Sequence, residues 1–157
     1  MEEKLYNTFV NSAISILKNT AGLSIEKIGS PRETHGQQIS LGISSVVSFA
    51  GRIKGRCIID MDTTVALDIA GNIMGAKYDY IKDPMVLSTI SELNNIIAGD
   101  SITMLNNDLG LGLRLAPPVV FTGRQVIIYS SQVKQVTVDV DTPKGRMRLS
   151  IAWEGSL

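Results

Sequence analysis

Asp83 to Asn107 reads DPMVLSTISELNNIIAGDSITMLNN, the stretch that decides what kind of fold this is. An aspartate stands where a helix needs a cap, proline follows at the first helical position, and Gly110 and Gly112 lie just past the end. These signals predict the longest helix of the chain. Wound at about 100° per residue, it places Leu87, Ile90, Ile97, Ser101, Met104 and Leu105 on one side as the expected core stripe. Ser88, Glu92, Asn95, Gly99 and Thr103 fall on the other.

Helical spacing also predicts a first helix over 3–19, through Leu5, Phe9, Val10, Ala13, Ile16 and Leu17. A short helix is expected over 64–74, with Asp62 or Thr63 as cap and Gly75 as stop. The remaining segments read as extended. They are 25–28, then a polar loop at 30–36, 43–49, 53–61, 113–121 broken by Pro117-Pro118, 126–129, 133–140 and 146–153. Ala50-Gly51-Arg52 and Thr142-Pro143-Lys144-Gly145 join neighbouring strands as hairpins. In the strand over 53–61, Ile53, Cys57, Ile59 and Met61 share one face, while Arg52, Lys54, Arg56, Asp60 and Asp62 share a wet one. Met147, Leu149, Ile151 and Trp153 alternate in the same way with Arg146, Arg148 and Ser150. The expected class is therefore α+β, a mainly antiparallel sheet covered by helices, in a single domain over 1–157.

Composition narrows the function. With 15 basic and 15 acidic residues among 157, the chain has no general electrostatic pull toward nucleic acid or an anionic membrane surface. No apolar run approaches the length of a membrane span, and the acidic start Met1-Glu2-Glu3-Lys4 does not resemble a signal peptide. One cysteine excludes an internal disulfide. The expected location is the cytoplasm.

The common catalytic signatures are missing. There is no Walker loop, and Gly110-Leu111-Gly112 fits a helix stop better than a dinucleotide fingerprint. His35, the sole histidine, reads as a surface residue, so neither a histidine metal cluster nor a serine triad assembles. Cys57 reads as a core thiol. The pairs Asp60 with Asp62 and Asp139 with Asp141 read as solvated strand ends rather than cation ligands.

The outward side of the long helix is unusual for a solvent face. Lysine, glutamate and alanine would stabilise such a face. Here stand serine, asparagine, glycine and threonine with one carboxylate. The spacing is specific: Ser88, Glu92 four on, Asn95 three further, and Pro118 twenty-three beyond. This resembles the signature of the CheC, CheX and FliY phosphatases: Asp or Ser, three residues, Glu, two residues, Asn, twenty-two residues, Pro. Ser91-Glu92-Leu93, Ala98-Gly99, Pro117-Pro118-Val119-Val120 and Gly123-Arg124 extend the likeness, which runs from the first helix to the closing hairpin. Glu-x-x-Asn occurs once, at Glu92 to Asn95, and no room remains for a second domain; the single-site CheX branch is the best match. Where the family often has Leu-Gly, this chain has Leu93-Asn94. By the wheel Asn94 points coreward, where its amide either bonds a buried backbone group or is brought to the rim by a slight turn of the helix.

The resemblance implies a phosphatase acting on the aspartyl phosphate of a CheY-like response regulator. Asn95 would position the attacking water, and Glu92 would pair with a lysine of the regulator. Ser88 and Pro118 would be structural or secondary rather than catalytic. The resemblance also implies no cofactor of the protein's own, with Mg²⁺ carried by the regulator, and a homodimer. Apart from the resemblance, the helix stability that Gly99 gives up points to close approach of the regulator's backbone or, alternatively, of one of the protein's own strands or loops such as the segment carrying Pro118. Ser88 and Gly99 are accordingly expected in the docking strip. The alternatives are a non-catalytic adaptor that binds the regulator or another chemotaxis protein, and a subunit of the flagellar switch.

Overall fold

The computed structural model describes the backbone of residues 1–157 and all side chains except those of residues 36 and 130–132. Three helices, α1 (Glu2–Asn19), α2 (Thr63–Met74) and α3 (Pro84–Leu109), accompany eight strands. The strands are β1 (Lys27–Ile28), β2 (Arg32–Ile39), β3 (Ile43–Ala50), β4 (Lys54–Met61), β5 (Arg114–Leu115), β6 (Val119–Thr122), β7 (Ile127–Thr142) and β8 (Gly145–Glu154). They form one sheet in the order β1-β7-β8-β4-β3-β5, with β2 also on β7 and β6 also on β3. Every pairing is antiparallel. The α+β architecture expected from the sequence is the one observed.

Alternation builds the helix-side face of the sheet in rows. Val47, Cys57, Ile151 and Val136 are cross-strand neighbours. Ser45, Ile59, Leu149 and Val138 form the next row, and Ile43, Met61, Met147 and Val140 the third. Against these rows α1 lays Leu5, Phe9, Ala13 and Leu17, α2 lays Val65, Ala66 and Ile69, and α3 lays Ile90, Leu93 and Ile97. All are almost completely removed from water. Each large aliphatic side chain so buried contributes about 1.5–3 kcal/mol, so this single apolar layer is the main source of stability. Among the described residues, no helix is long and apolar enough to cross a membrane.

Several expectations need correction. The segment 30–36, expected as a polar loop, is mostly strand: β2 begins at Arg32 and runs along β7 through backbone bonds, with a bulge between Thr34 and Gly36. The segments 126–129 and 133–140 belong to one strand, β7, and the strand expected at 25–28 shrinks to Lys27–Ile28. Residues 113–121 divide into β5 and β6 on either side of the two prolines. The second face of β4 is not wet along its length. Ile58 and Asp60 are fully buried, because β2 and the first half of β7 lie over them. Arg148 donates to the Ile39 carbonyl at 2.8 Å and Arg56 to the Tyr129 carbonyl at 2.6 Å, which fastens that cover to the sheet.

Asp60 is therefore no solvated strand end. Its carboxylate accepts from the Leu41 backbone N–H at 3.0 Å and the Ser44 hydroxyl at 2.8 Å, with Arg148 3.9 Å away. Burial pushes its pKa above the ordinary carboxylate range, and those bonds and the guanidinium pull against the shift. Asp139 and Asp141 are half-buried and salt-bridged to Arg32 and Arg146 respectively.

Candidate functional site

The site is built on α3. The Asp83 side chain accepts from the Met85 N–H at 2.9 Å, Pro84 opens the first turn, and Gly110 closes the helix at φ 61°. Both ends are thus fixed by residues that the sequence marks for the purpose. The buried stripe comprises Val86, Thr89, Ile90, Leu93, Asn94, Ile97, Ala98, Ser101 and Leu105. Met104, expected in the core, is 38% exposed, and Leu87 is half-buried. The buried stripe is broader than the simple wheel, taking in Val86, Thr89, Leu93 and Ala98 as well as the coreward Asn94.

Asn94 lies on the core side, where the wheel places it. Its side chain is completely buried, and its NH₂ donates to the Ser45 carbonyl at 2.9 Å, the Ser45 hydroxyl at 3.2 Å and the Cys57 carbonyl at 3.2 Å. Of the two arrangements open to it, the amide takes the first and bonds buried backbone. It reaches the sheet where Ser45 interrupts the apolar rows, so α3 is pinned to β3 and β4 by polar bonds in an apolar setting, where they are strongest. On the α1 side the Ser12 hydroxyl donates to Asp100 at 2.6 Å. Between them these ties fix the rotation of the helix and hence the direction of its opposite face.

That face carries the residues singled out by the sequence. Ser88, Glu92 and Thr103 are exposed; Asn95 and Gly99 are half-buried. Ser88 donates to the Pro84 carbonyl at 2.7 Å and Thr103 to the Gly99 carbonyl at 2.8 Å, so both hydroxyls are spent within their own helix. No hydrogen bond or ion pair engages the side chain of Glu92 or Asn95 among the described residues. A carboxylate and an amide stand one turn apart, held by a rigid helix and unspent. Beside them β5 and β6 flank α3, and a Cβ at Gly99 would sit 3.9 Å from the Leu115 side chain, an ordinary contact. Pro118 lies half-buried in the short link between β5 and β6, away from any role as donor.

Other reactive types are accounted for elsewhere. Cys57 is buried, and desolvation pushes its thiol far above the ordinary range, which makes it inert. His35 is exposed, 3.9 Å from Glu33, and stands on β2 rather than in a loop. No group of three or more His, Cys, Asp or Glu is placed to hold a metal ion among the described residues. An amide and a carboxylate alone can accept from and donate to water and fix a cationic partner group.

Sequence reasoning missed the apolar surroundings. Ile73 and Met74 at the end of α2, with Met85 and Ile96 on α3, line a groove of about 260 Å³ that also includes Ser88 and Glu92. The signal was present: Ile96 stands four residues after Glu92, on the exposed side of the wheel rather than in the core stripe.

Comparison with known proteins shows the family and the fold. The model of the family described as "Chemotaxis phosphatase CheX" matches residues 43–141. The CheY-P phosphatase CheX of Thermotoga maritima is 28% identical over 130 residues, 83% of each chain. A CheC-like superfamily protein from Shewanella sp. PV-4 superposes with a TM-score of 0.88 at 25% identity, over 99% of this chain and all of that one. The CheX of Borrelia burgdorferi, solved as a CheX-CheY-BeF₃-Mg²⁺ complex, superposes with a TM-score of 0.83 at 28% identity, over 95% and 97% of the two chains.

Proposed function

Because the chain belongs to the CheX family of chemotaxis phosphatases, we propose that it hydrolyses the aspartyl phosphate of a CheY-like response regulator, using α3 as the inserted element. The observation that carries this is the unspent pair, Glu92 and Asn95, on the exposed face of a helix whose rotation is fixed from behind by Asn94. The T. maritima relative is named a CheY-P phosphatase, and the B. burgdorferi relative was solved in a complex with CheY, BeF₃ and Mg²⁺.

The division of labour is simple. The regulator brings the phosphoaspartate, a lysine beside it and Mg²⁺ to neutralise phosphoryl charge. The Asn95 carbonyl accepts from a water and its NH₂ orients an oxygen, which puts the water in line with phosphorus. Neither group has to change protonation state, so no tuned acid or base is needed. Glu92 pairs with the regulator's lysine and sets the docking register. Positioning by one group of this kind supplies about 3–4 kcal/mol of transition-state stabilisation. Ser88 and Gly99 act in docking: one keeps the first turn compact, and the other lets the regulator's backbone approach. The unit is a single CheX-like domain over 1–157 that works in the cytoplasm with no cofactor of its own.

The test is direct. A regulator phosphorylated by a small phosphodonor, then freed of donor, should lose phosphate faster as this protein is added, at substoichiometric amounts. Binding without acceleration would make the protein an adaptor and overturn the proposal.

A further inference from the structure

The surface around Glu92 holds more than charge. Ile73, Met74, Met85 and Ile96 are 37%, 42%, 44% and 42% exposed, and all four line the groove between the end of α2 and the first turns of α3. Among the described residues, Glu92 is the one charged residue lining it. The volume is about 260 Å³. Water against such walls has few partners, and its displacement by an apolar group gains affinity. Two of the four side chains are methionines, whose unbranched, polarisable chains adapt to an incoming surface.

We propose that this groove is the affinity site for the response regulator, receiving one or two apolar side chains from the surface next to its phosphorylated aspartate. The inference rests on the function proposed above. Continuity carries the choice of occupant. Ile96 follows Asn95 directly and lies one turn from Glu92, while Ser88 and Glu92 belong both to the groove and to the docking strip. A partner that brings its phosphoryl group to Asn95 and its lysine to Glu92 therefore covers Ile96 and the groove mouth. The roles divide by physics. The Glu92 pair, at the rim and open to water, governs approach and register; the apolar anchor, excluded from water, governs residence.

Met74→Ser and Ile96→Ser test this, with Ile28→Ser on the distant β1 as an equally apolar, equally exposed control. The dissociation constant is measured against a CheY-like regulator loaded with beryllofluoride and Mg²⁺, and KM and kcat against the phosphorylated form. Each groove variant should weaken binding and raise KM by about three- to tenfold, as expected for losing part of one apolar side chain's burial. The kcat, the melting temperature and the Ile28→Ser control should not move. If the native protein binds the loaded regulator and the groove variants bind it equally well, the inference falls while the phosphatase reading stands. If the native protein neither binds nor dephosphorylates the regulator, both fall. Should light scattering show the groove variants losing self-association with unchanged regulator affinity, a second copy is the occupant and the inference is overturned.

Discussion

Asn94 and Asn95 are neighbours of one chemical type with opposite employment. Asn94 satisfies the carbonyls of Ser45 and Cys57 in the core; Asn95 faces outward with its amide unspent. Asn94→Ala removes donors from two buried carbonyls and leaves a small void, so it should cost about 2–3 kcal/mol of unfolding free energy. A urea midpoint unchanged by that substitution would contradict the pinning of α3. Glu92→Ala should leave stability intact and weaken docking, with a shallower dependence of association on salt. Stopped-flow association at several ionic strengths measures this, and an unchanged slope would remove Glu92 from lysine pairing. The outward pair was legible in the sequence, since three spacings and a weakly helix-forming surface pointed to it. Asn94 was left with two arrangements open, because periodicity gives direction but not the partner waiting on β3. Asp60 was misread for the same reason: the groups that enclose it, Leu41, Ser44, Arg148 and Gln38, are far from it in sequence.

At the scale of the element, α3 is a helix that gives up propensity on one face. Gly99 is half-buried, and a methyl group there meets only Leu115, at 3.9 Å. Gly99→Ala should accordingly raise stability by up to about 1 kcal/mol. Gly99→Leu should keep the fold while lowering regulator binding and turnover, since the bulk projects where the regulator approaches. Melting temperature and phosphatase rate are read together on both variants, and a destabilised leucine variant or a fully active one would end the docking role of Gly99. The ends of α3 and α2 were legible because Asp83, Pro84, Gly75 and Gly110 act locally. Strand β2 was not. Its stretch Arg32 to Gln37 has no apolar alternation, and it is a strand only because β7 offers backbone partners. The break expected between residues 129 and 133 was equally local reasoning, applied to a strand that tertiary pairing carries through as β7.

For the whole molecule, alternation in β4 and β8 was enough to predict an antiparallel sheet with a helical cover, because those strands form its centre. What alternation cannot give is the cover on the second face, which depends on where long-range strands return. The sheet also leaves edges: β2 pairs with β7 alone and β6 with β3 alone among the described residues. Unpaired edges favour association, so a homodimer is the expected state in solution. Sedimentation should give twice the mass of one chain, and a monomer mass across a broad concentration range would contradict it. All of these features serve one claim, that a rigid helix lends a fixed amide to a reaction whose other groups belong to the partner. That claim is tested most directly by single-turnover loss of phosphate from a phosphorylated CheY-like regulator, with saturating native protein or its Asn95→Ala variant. The variant should keep the native melting temperature and bind the beryllofluoride-loaded regulator, yet dephosphorylate it roughly a hundredfold more slowly or worse; a folded, binding Asn95→Ala protein that retains the native rate would contradict the account.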